Sequence, residues 1–301
     1  MIAVTGAAGN VGGKVAHLLL EAGEEIRALE HNRDLSGLRK RGAEVVSGDA
    51  SSVDEFTDFL DGARAALVLL PENMADPDFV ENRAAMARAM CDAIRKSGVR
   101  HVVALSAAGA ARADAPGPPA GLHGFEQDLR TLDNTNVLVL RSAAYMDYLL
   151  AALPMIQAQK VNGSAVDPNV RVPMIATRDV AREAAQRLRL QDFTGHEIKL
   201  LLGPEDVTMS EATRAIGERI GIPDLPYVQF PPDAVKGALL GAGMSEQAAG
   251  LVVDVQLAWN ERIYFEGIER TPDSVTPTRF GDFLRQALPE GAVTNEEEAH
   301  L

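Results

Sequence analysis

Short apolar runs alternate with amphipathic stretches over the first 140 residues. Residues 2–4 are continuously apolar and predict a buried strand. Residues 12–22 carry Val15, Leu18, Leu19 and Leu20 at helical spacing, and Gly23 stops that helix. The alternation continues with strands predicted at 25–29, 44–46, 65–70, 101–105 and 137–140. Between them lie helices at 35–41, 53–60, 79–97 and 125–132. The strands at 2–4, 65–70 and 137–140 are apolar throughout, not at every second position, as in a parallel sheet covered by helices on both faces. The second half is less regular. It predicts helices at 177–190, 210–220, 246–267 and 280–287, a strand at 197–202 and an extended proline-rich segment at 223–232. Thr177 or Asp179 is expected to open the first of these helices and the Ser210-Glu211 pair the second. The acidic tail, 294–301, is expected to fray. No repeat or linker divides the chain, so its two halves are expected to interleave.

Composition narrows the function. The chain has 301 residues, 46% apolar and 24% charged, enough for a sizeable core and unlike a disordered protein. It carries 29 basic against 43 acidic residues, a formal charge of -14, which disfavours nucleic acid as a partner. The single cysteine, Cys91, allows neither an internal disulfide nor a cysteine-rich zinc site. It falls in an alanine-rich helical stretch and reads as a small packing residue. Nothing in the pattern requires a metal. With no leader-like start and no apolar run of membrane-spanning length, a cytoplasmic protein without a membrane partner is expected. It is expected to be a monomer or a homodimer.

The candidate chemistry starts at Thr5-Gly6-Ala7-Ala8-Gly9-Asn10-Val11-Gly12, between the first strand and the first helix. Gly6 allows a sharp turn off the strand. Gly9 lets backbone amides approach a pyrophosphate, and Gly12 lets the helix pack closely on the sheet. Ala8, Asn10 and Val11 complete the loop, and the helix N-terminus faces the phosphates with its positive end. The cofactor implied is NAD or NADP. The second strand ends Leu29-Glu30-His31-Asn32-Arg33. Glu30 stands where a carboxylate holds ribose hydroxyls, which favours NAD. Arg33, or a protonated His31, would instead favour the 2′-phosphate of NADP. Other strand ends on the same edge are further candidates: Asp49 and Ala50, Leu69, Leu70 and Pro71, and Ser106 and Ala107.

These stretches resemble the NmrA-like branch of atypical short-chain dehydrogenase/reductases. The resemblance extends through Gly42 to Asp49, Val99 to Ser106, Val137 to Arg141, the Val172 to Ala181 block and the strand closing at Leu202-Gly203-Pro204. It implies a doubly wound Rossmann domain, residues 1–145 with 170–203 completing the sheet. It also implies a smaller C-terminal substrate lobe, 146–169 and 204–301, with a cleft between. Members are similar to quinone, dye or flavonoid-type reductases, to isomerases, or to redox sensors that bind NAD(P) without turnover. The family's usual arginine is replaced here by His31, and Glu30 adds an acid, which departs from a common NADP preference.

The wider superfamily pairs a tyrosine with a lysine four residues on, and no such pair occurs here. The corresponding stretch holds His123, a candidate general acid. Ser106 is a candidate hydrogen-bond donor to a substrate carbonyl, and Tyr145 is a further catalytic candidate. Tyr145, Met146, Tyr148, Leu149, Leu150 and Met155, with residues of the stretch Pro223 to Leu240, suggest an apolar wall. Asp179 reads as a helix cap and Glu126 as structural. The proline- and glycine-rich segment 112–122 reads equally as a lid or a plain loop. The function expected is hydride transfer to a small, apolar, quinone-like or aromatic carbonyl substrate. The alternative is a non-catalytic dinucleotide sensor.

Overall fold

Ile2 and Val4 point to one face of their strand and Ala3 to the other, and each meets a separate layer of helices. The same division recurs along the sheet. In the computed structural model, which describes residues 1–289 apart from Asn32 and Glu266, twelve strands and eleven α-helices are formed. The strands are β1 (Ile2–Val4), β2 (Ile26–Glu30), β3 (Glu44–Ser47), β4 (Ala65–Val68), β5 (His101–Ala107) and β6 (Asn136–Ser142). Beyond them come β7 (Ala144–Tyr145), β8 (Asn162–Ser164), β9 (Val172–Ile175), β10 (His196–Leu201), β11 (Asp206–Val207) and β12 (Tyr227–Gln229). The helices are α1 (Gly12–Glu21), α2 (Ser36–Lys40), α3 (Val53–Leu60), α4 (Phe79–Ser97), α5 (Pro118–Leu129) and α6 (Leu153–Gln159). Then follow α7 (Thr177–Leu190), α8 (Met209–Arg219), α9 (Pro232–Gly241), α10 (Glu246–Asn260) and α11 (Phe280–Ala287).

The main sheet has seven parallel strands in the order β10-β6-β5-β4-β1-β2-β3. Its order reverses between β1 and β4, the switch point where doubly wound folds hold ligands. On one face Val15 and Leu19 of α1, Leu38 of α2 and Val180, Ala184 and Leu188 of α7 pack on Ile2, Leu67, Val103 and Leu140. On the other, Phe56 and Leu60 of α3, Met90 and Ile94 of α4 and Phe125 and Leu129 of α5 pack on Ala3, Val68, Ala104 and Val139. A third cluster joins Val172 and Met174 of β9 to Ile216 of α8, Ala258 of α10 and Phe283 of α11. Two small sheets serve this lobe: β7-β9-β11 and the parallel pair β8-β12.

Three local expectations need correction. The helix α8 is opened by Thr208, not by Ser210-Glu211. Its hydroxyl accepts from the Glu211 N–H while the Glu211 carboxylate accepts from the Thr208 N–H, a capping box. Asp179 does not cap α7. It accepts from both N–H and hydroxyl of Thr278, tying the helix to the C-terminal segment. The helix predicted at 125–132 already starts at Pro118, because prolines are favoured in the first turn, where their missing N–H costs nothing. The acidic tail, 294–301, lies outside the described residues.

Candidate functional site

The loop after β1 has the shape a diphosphate needs. Gly6 takes φ +62°, and a Cβ on it would meet the Leu69 side chain at 2.7 Å. A Cβ on Gly12 would lie 2.3 Å from the Gly6 carbonyl oxygen and 2.7 Å from that of Thr5. The loop is therefore closed against the first turn of α1, with the Gly9 N–H donating to the Gly6 carbonyl at 2.8 Å. Ala8, Gly9 and Asn10 form its exposed crest, while Val11 is buried. No side chain caps α1 and no acid stands in its first turn, so the positive end of the helix is directed to the crest. The Thr5 hydroxyl donates to the Leu67 carbonyl and accepts from the Leu69 N–H, binding the end of β1 to that of β4. These residues fit a dinucleotide diphosphate.

Lys14 and Asp147 are parts of the site that the sequence reading missed. The Lys14 ammonium donates to the Asn10 carbonyl and to the Thr177 hydroxyl, both at 2.9 Å. The Asp147 carboxylate accepts from the Thr177 N–H and hydroxyl and lies 3.6 Å from Lys14. The clasp joins the glycine loop to the start of α7 and to the segment carrying Tyr145 and Tyr148. Lys14 and Thr177 are 163 positions apart, so spacing gives no signal of it.

At the end of β2, one Glu30 oxygen accepts from the Leu35 N–H at 2.8 Å and the other lies 3.8 Å from Arg39. The argument from Glu30 to NAD therefore loses its footing: the carboxylate is engaged in holding the turn into α2. His31 and Arg33 are exposed, with the His31 ring against the Gly48 carbonyl. Asp49 accepts from the Ser51 N–H across its own turn, beside buried Ala50. Leu70 is buried, Leu69 half-buried and Pro71 exposed.

The catalytic candidates separate. The Ser106 hydroxyl donates at 2.6 Å to the Glu126 carboxylate, which also takes a fork of bonds from Arg141. A hydroxyl has one proton to give, and this one is given to Glu126 in the interior, so Ser106 is corrected from substrate donor to part of a buried strut. Ala107 ends β5 half-buried. The Nδ1–H of His123 donates to the Ala110 carbonyl at 2.9 Å, anchoring α5 to the turn after β5. Tyr145 packs on the same core cluster as Leu69, its ring centroid 5.4 Å from that of Tyr148. Burial pushes the Tyr145 phenol above its ordinary pKa, with the acids Glu72 and Asp147 adding to the effect and Ser142 opposing it. Met146 is fully buried in the lobe core and drops out of the cleft wall, whereas Leu149 and Leu150 pack at its edge. Segment 112–122 is no free flap. The Tyr264 hydroxyl donates to the Pro116 carbonyl, and Gly117 lies against Leu251 and Val255 of α10.

Among the described residues no cluster of His, Cys, Asp or Glu is arranged to hold a metal, and no helix is long and apolar enough to cross a membrane.

Comparison with known proteins agrees with this geometry. A curated Streptomyces griseus protein, (4-alkanoyl-5-oxo-2,5-dihydrofuran-3-yl)methyl phosphate reductase, is 30% identical over 245 residues, 80% of each chain. The Citrobacter triphenylmethane reductase solved with NADP(H) superposes with a TM-score of 0.80 at 21% identity, over 96% of this chain and 100% of that one. An Escherichia coli NADPH-dependent quinone oxidoreductase solved with NADPH gives 0.78 at 20% identity, over 95% and 99%. The sequence profile of the NmrA-like family matches residues 1–278, and the chain belongs to that family.

Proposed function

We propose that this chain is an NADPH-dependent reductase of a conjugated carbonyl compound, a quinone-like ring or an unsaturated lactone. The observation that carries the reading is the closed glycine loop, tied through Lys14, Thr177 and Asp147 to the segment that carries Tyr145 and Tyr148. The Streptomyces griseus relative, a reductase of a furanone-bearing phosphate, supports the unsaturated lactone.

When bound, the nicotinamide supplies the hydride. The amides of Ala8 and Asn10 on the crest and the start of α1 would hold the diphosphate, the Gly9 N–H being given to the Gly6 carbonyl. Exposed His31 and Arg33, with Arg39 beside an already engaged Glu30, suit a ribose phosphate better than a bare hydroxyl. The Lys14-Asp147-Thr177 clasp sets the loop against the substrate wall. No Tyr-Lys pair is needed for a conjugated acceptor, because its reduced oxygen is weakly basic and water can supply the proton. The overall balance is acceptor, NADPH and one proton giving reduced acceptor and NADP+.

The test is to follow the near-ultraviolet absorbance of reduced nicotinamide with quinones, butenolides and simple aldehydes as acceptors. Turnover should be confined to conjugated acceptors and be faster with NADPH than with NADH. Tight NADPH binding without turnover of any acceptor would overturn the reading in favour of a dinucleotide sensor.

A further inference from the structure

The outermost strand of the main sheet, β10, has β6 on one side and, among the described residues, no strand on the other. The Val137 N–H donates to the Gly195 carbonyl and the Ala143 N–H to the Leu201 carbonyl. The odd-numbered residues from Gly195 on therefore turn their backbone groups inward to β6, and His196, Ile198 and Leu200 turn theirs outward. The next even residue shows what this edge accepts. The Leu202 N–H donates to the Ser274 carbonyl, and the Leu202 carbonyl accepts from the Thr276 N–H. That bridge covers Leu202, just beyond the end of β10.

Side chains alternate across the same strand. Lys199 turns to α7, where its ammonium donates to Glu183 at 2.7 Å. His196 and Ile198 lie over their β6 neighbours Val137 and Val139 on the α5 face. There the end of α5 leaves a groove of about 330 Å³, walled by Leu129, Arg130, Val137, Val139, His196 and Ile198. Ile198 is 41% exposed at this groove.

An unpaired edge is a template for another strand, and proteins that keep such an edge single blunt it with charges, proline or a bulge. β10 reads His-Glu-Ile-Lys-Leu-Leu, with no proline and with two charges of opposite sign on one face. An antiparallel copy centred on Ile198 sets Glu197 of each chain opposite Lys199 of the other. The outward N–H and C=O groups of Ile198, and of His196 with Leu200, then form the hydrogen-bonded pairs. Moving the centre to Glu197 or to Lys199 sets like charges face to face, so the charges select the register. Glu197 is exposed, and the Thr194 N–H occupies one of its oxygens only. The whole chain carries -14, so two copies repel on most approaches, whereas the charges of this strand cancel.

We infer that the free edge of β10 is a dimer interface, occupied by a second copy of this chain whose β10 runs antiparallel about Ile198. The sheet continues across a twofold axis, and the Ile198 side chains of the two copies meet between their α5 grooves. The inference does not depend on the reductase reading.

Sedimentation equilibrium of the full chain at micromolar concentration should show a dimer. Ile198→Lys sets two cations opposite each other and should raise the dimer Kd about tenfold or more, with the far-ultraviolet circular dichroism unchanged. Cysteine pairs read the register. Non-hydrogen-bonded partners in an antiparallel ladder lie about 4.5 Å apart between Cα atoms, within the span of a disulfide. Glu197→Cys mixed with Lys199→Cys should therefore give a disulfide-linked dimer on mild oxidation, and each variant oxidised alone should stay unlinked. The native Cys91 is buried and takes no part. A monomer would overturn the assignment, whether β10 stays open or is covered by residues 290–301 of its own chain. A dimer whose Kd Ile198→Lys changes less than about threefold, or whose mixed cysteine variants do not link, would place the contact elsewhere and overturn it too. Linkage of one variant alone would overturn the centring on Ile198. The cysteine result decides the matter even if Ile198→Lys does not fold.

Discussion

Replacing Gly12 by alanine adds one methyl group where the chain has no room for it. The new carbon would lie 2.3 Å from the Gly6 oxygen, 2.6 Å from the Gly6 carbonyl carbon and 2.7 Å from the Thr5 oxygen. An unstrained carbon–oxygen approach is about 3.3 Å, so roughly 1 Å of overlap must be relieved. All three neighbours are backbone, and Val4 just before them is locked between β2 and β4. The loop must yield. Overpacking of this kind costs about 1–3 kcal/mol of stability. Displacing even one amide from a phosphate oxygen loses about 1.5–3 kcal/mol of binding, which is roughly a tenfold to hundredfold rise in Kd. Calorimetric titration with NADPH and urea unfolding of Gly12→Ala measure the two effects separately. Gly37→Ala is the control, since a Cβ there meets nothing within 4 Å. It should leave NADPH binding unchanged and stabilise α2 by about 0.5–1 kcal/mol. A Gly12→Ala protein that binds NADPH within twofold of wild type and unfolds at the same urea concentration would refute the argument from close approach.

Glu126→Gln weakens a carboxylate that holds both Arg141 and Ser106, leaving a nearly buried guanidinium uncompensated; urea unfolding should show a loss approaching the 3–5 kcal/mol typical of broken buried pairs. Cys91 is buried and far from water, which raises its thiol to about 12, so the thiolate appears only near that pH and its fraction at pH 8 is on the order of 1 in 10,000. Native protein should therefore resist a thiol reagent between pH 7 and 9 and react only on unfolding; rapid native labelling would contradict the burial. Glu30→Ala removes the acceptor for the Leu35 N–H and should cost about 0.5–2 kcal/mol, measured by urea unfolding. The ratio of NADH to NADPH affinity should change less than threefold in the same variant, and a tenfold loss of NADH alone would restore the carboxylate to the ribose.

Pattern and spacing went far in this chain. Continuously apolar strands such as 65–70 and 137–140 imply two covered faces, and the helical periods between strands imply parallel crossovers, so the doubly wound sheet follows from residues 1–140 without any contact being seen. The glycine loop is legible for a similar reason. Its requirement, no side chain at fixed offsets between a strand and a helix, is written in a few adjacent letters. The failures share a cause as well. Glu30 was assigned by position to the ribose, yet a side chain's target depends on which amide the following turn brings near, and that turn delivers the Leu35 N–H. Ser106 was placed correctly at a strand end but faces Glu126, twenty positions on. Lys14, Asp147 and Thr177 become neighbours only when crossovers bring distant segments to one edge of the sheet.

The sequence by itself determined the burial pattern, the parallel sheet and the place where a diphosphate can be gripped, because each depends on local period and on the absence of a Cβ. Only the tertiary structure decided where the charged side chains point and which acid answers which cation. Those choices are made by close packing between segments as many as 163 residues apart, and no spacing along the chain records them.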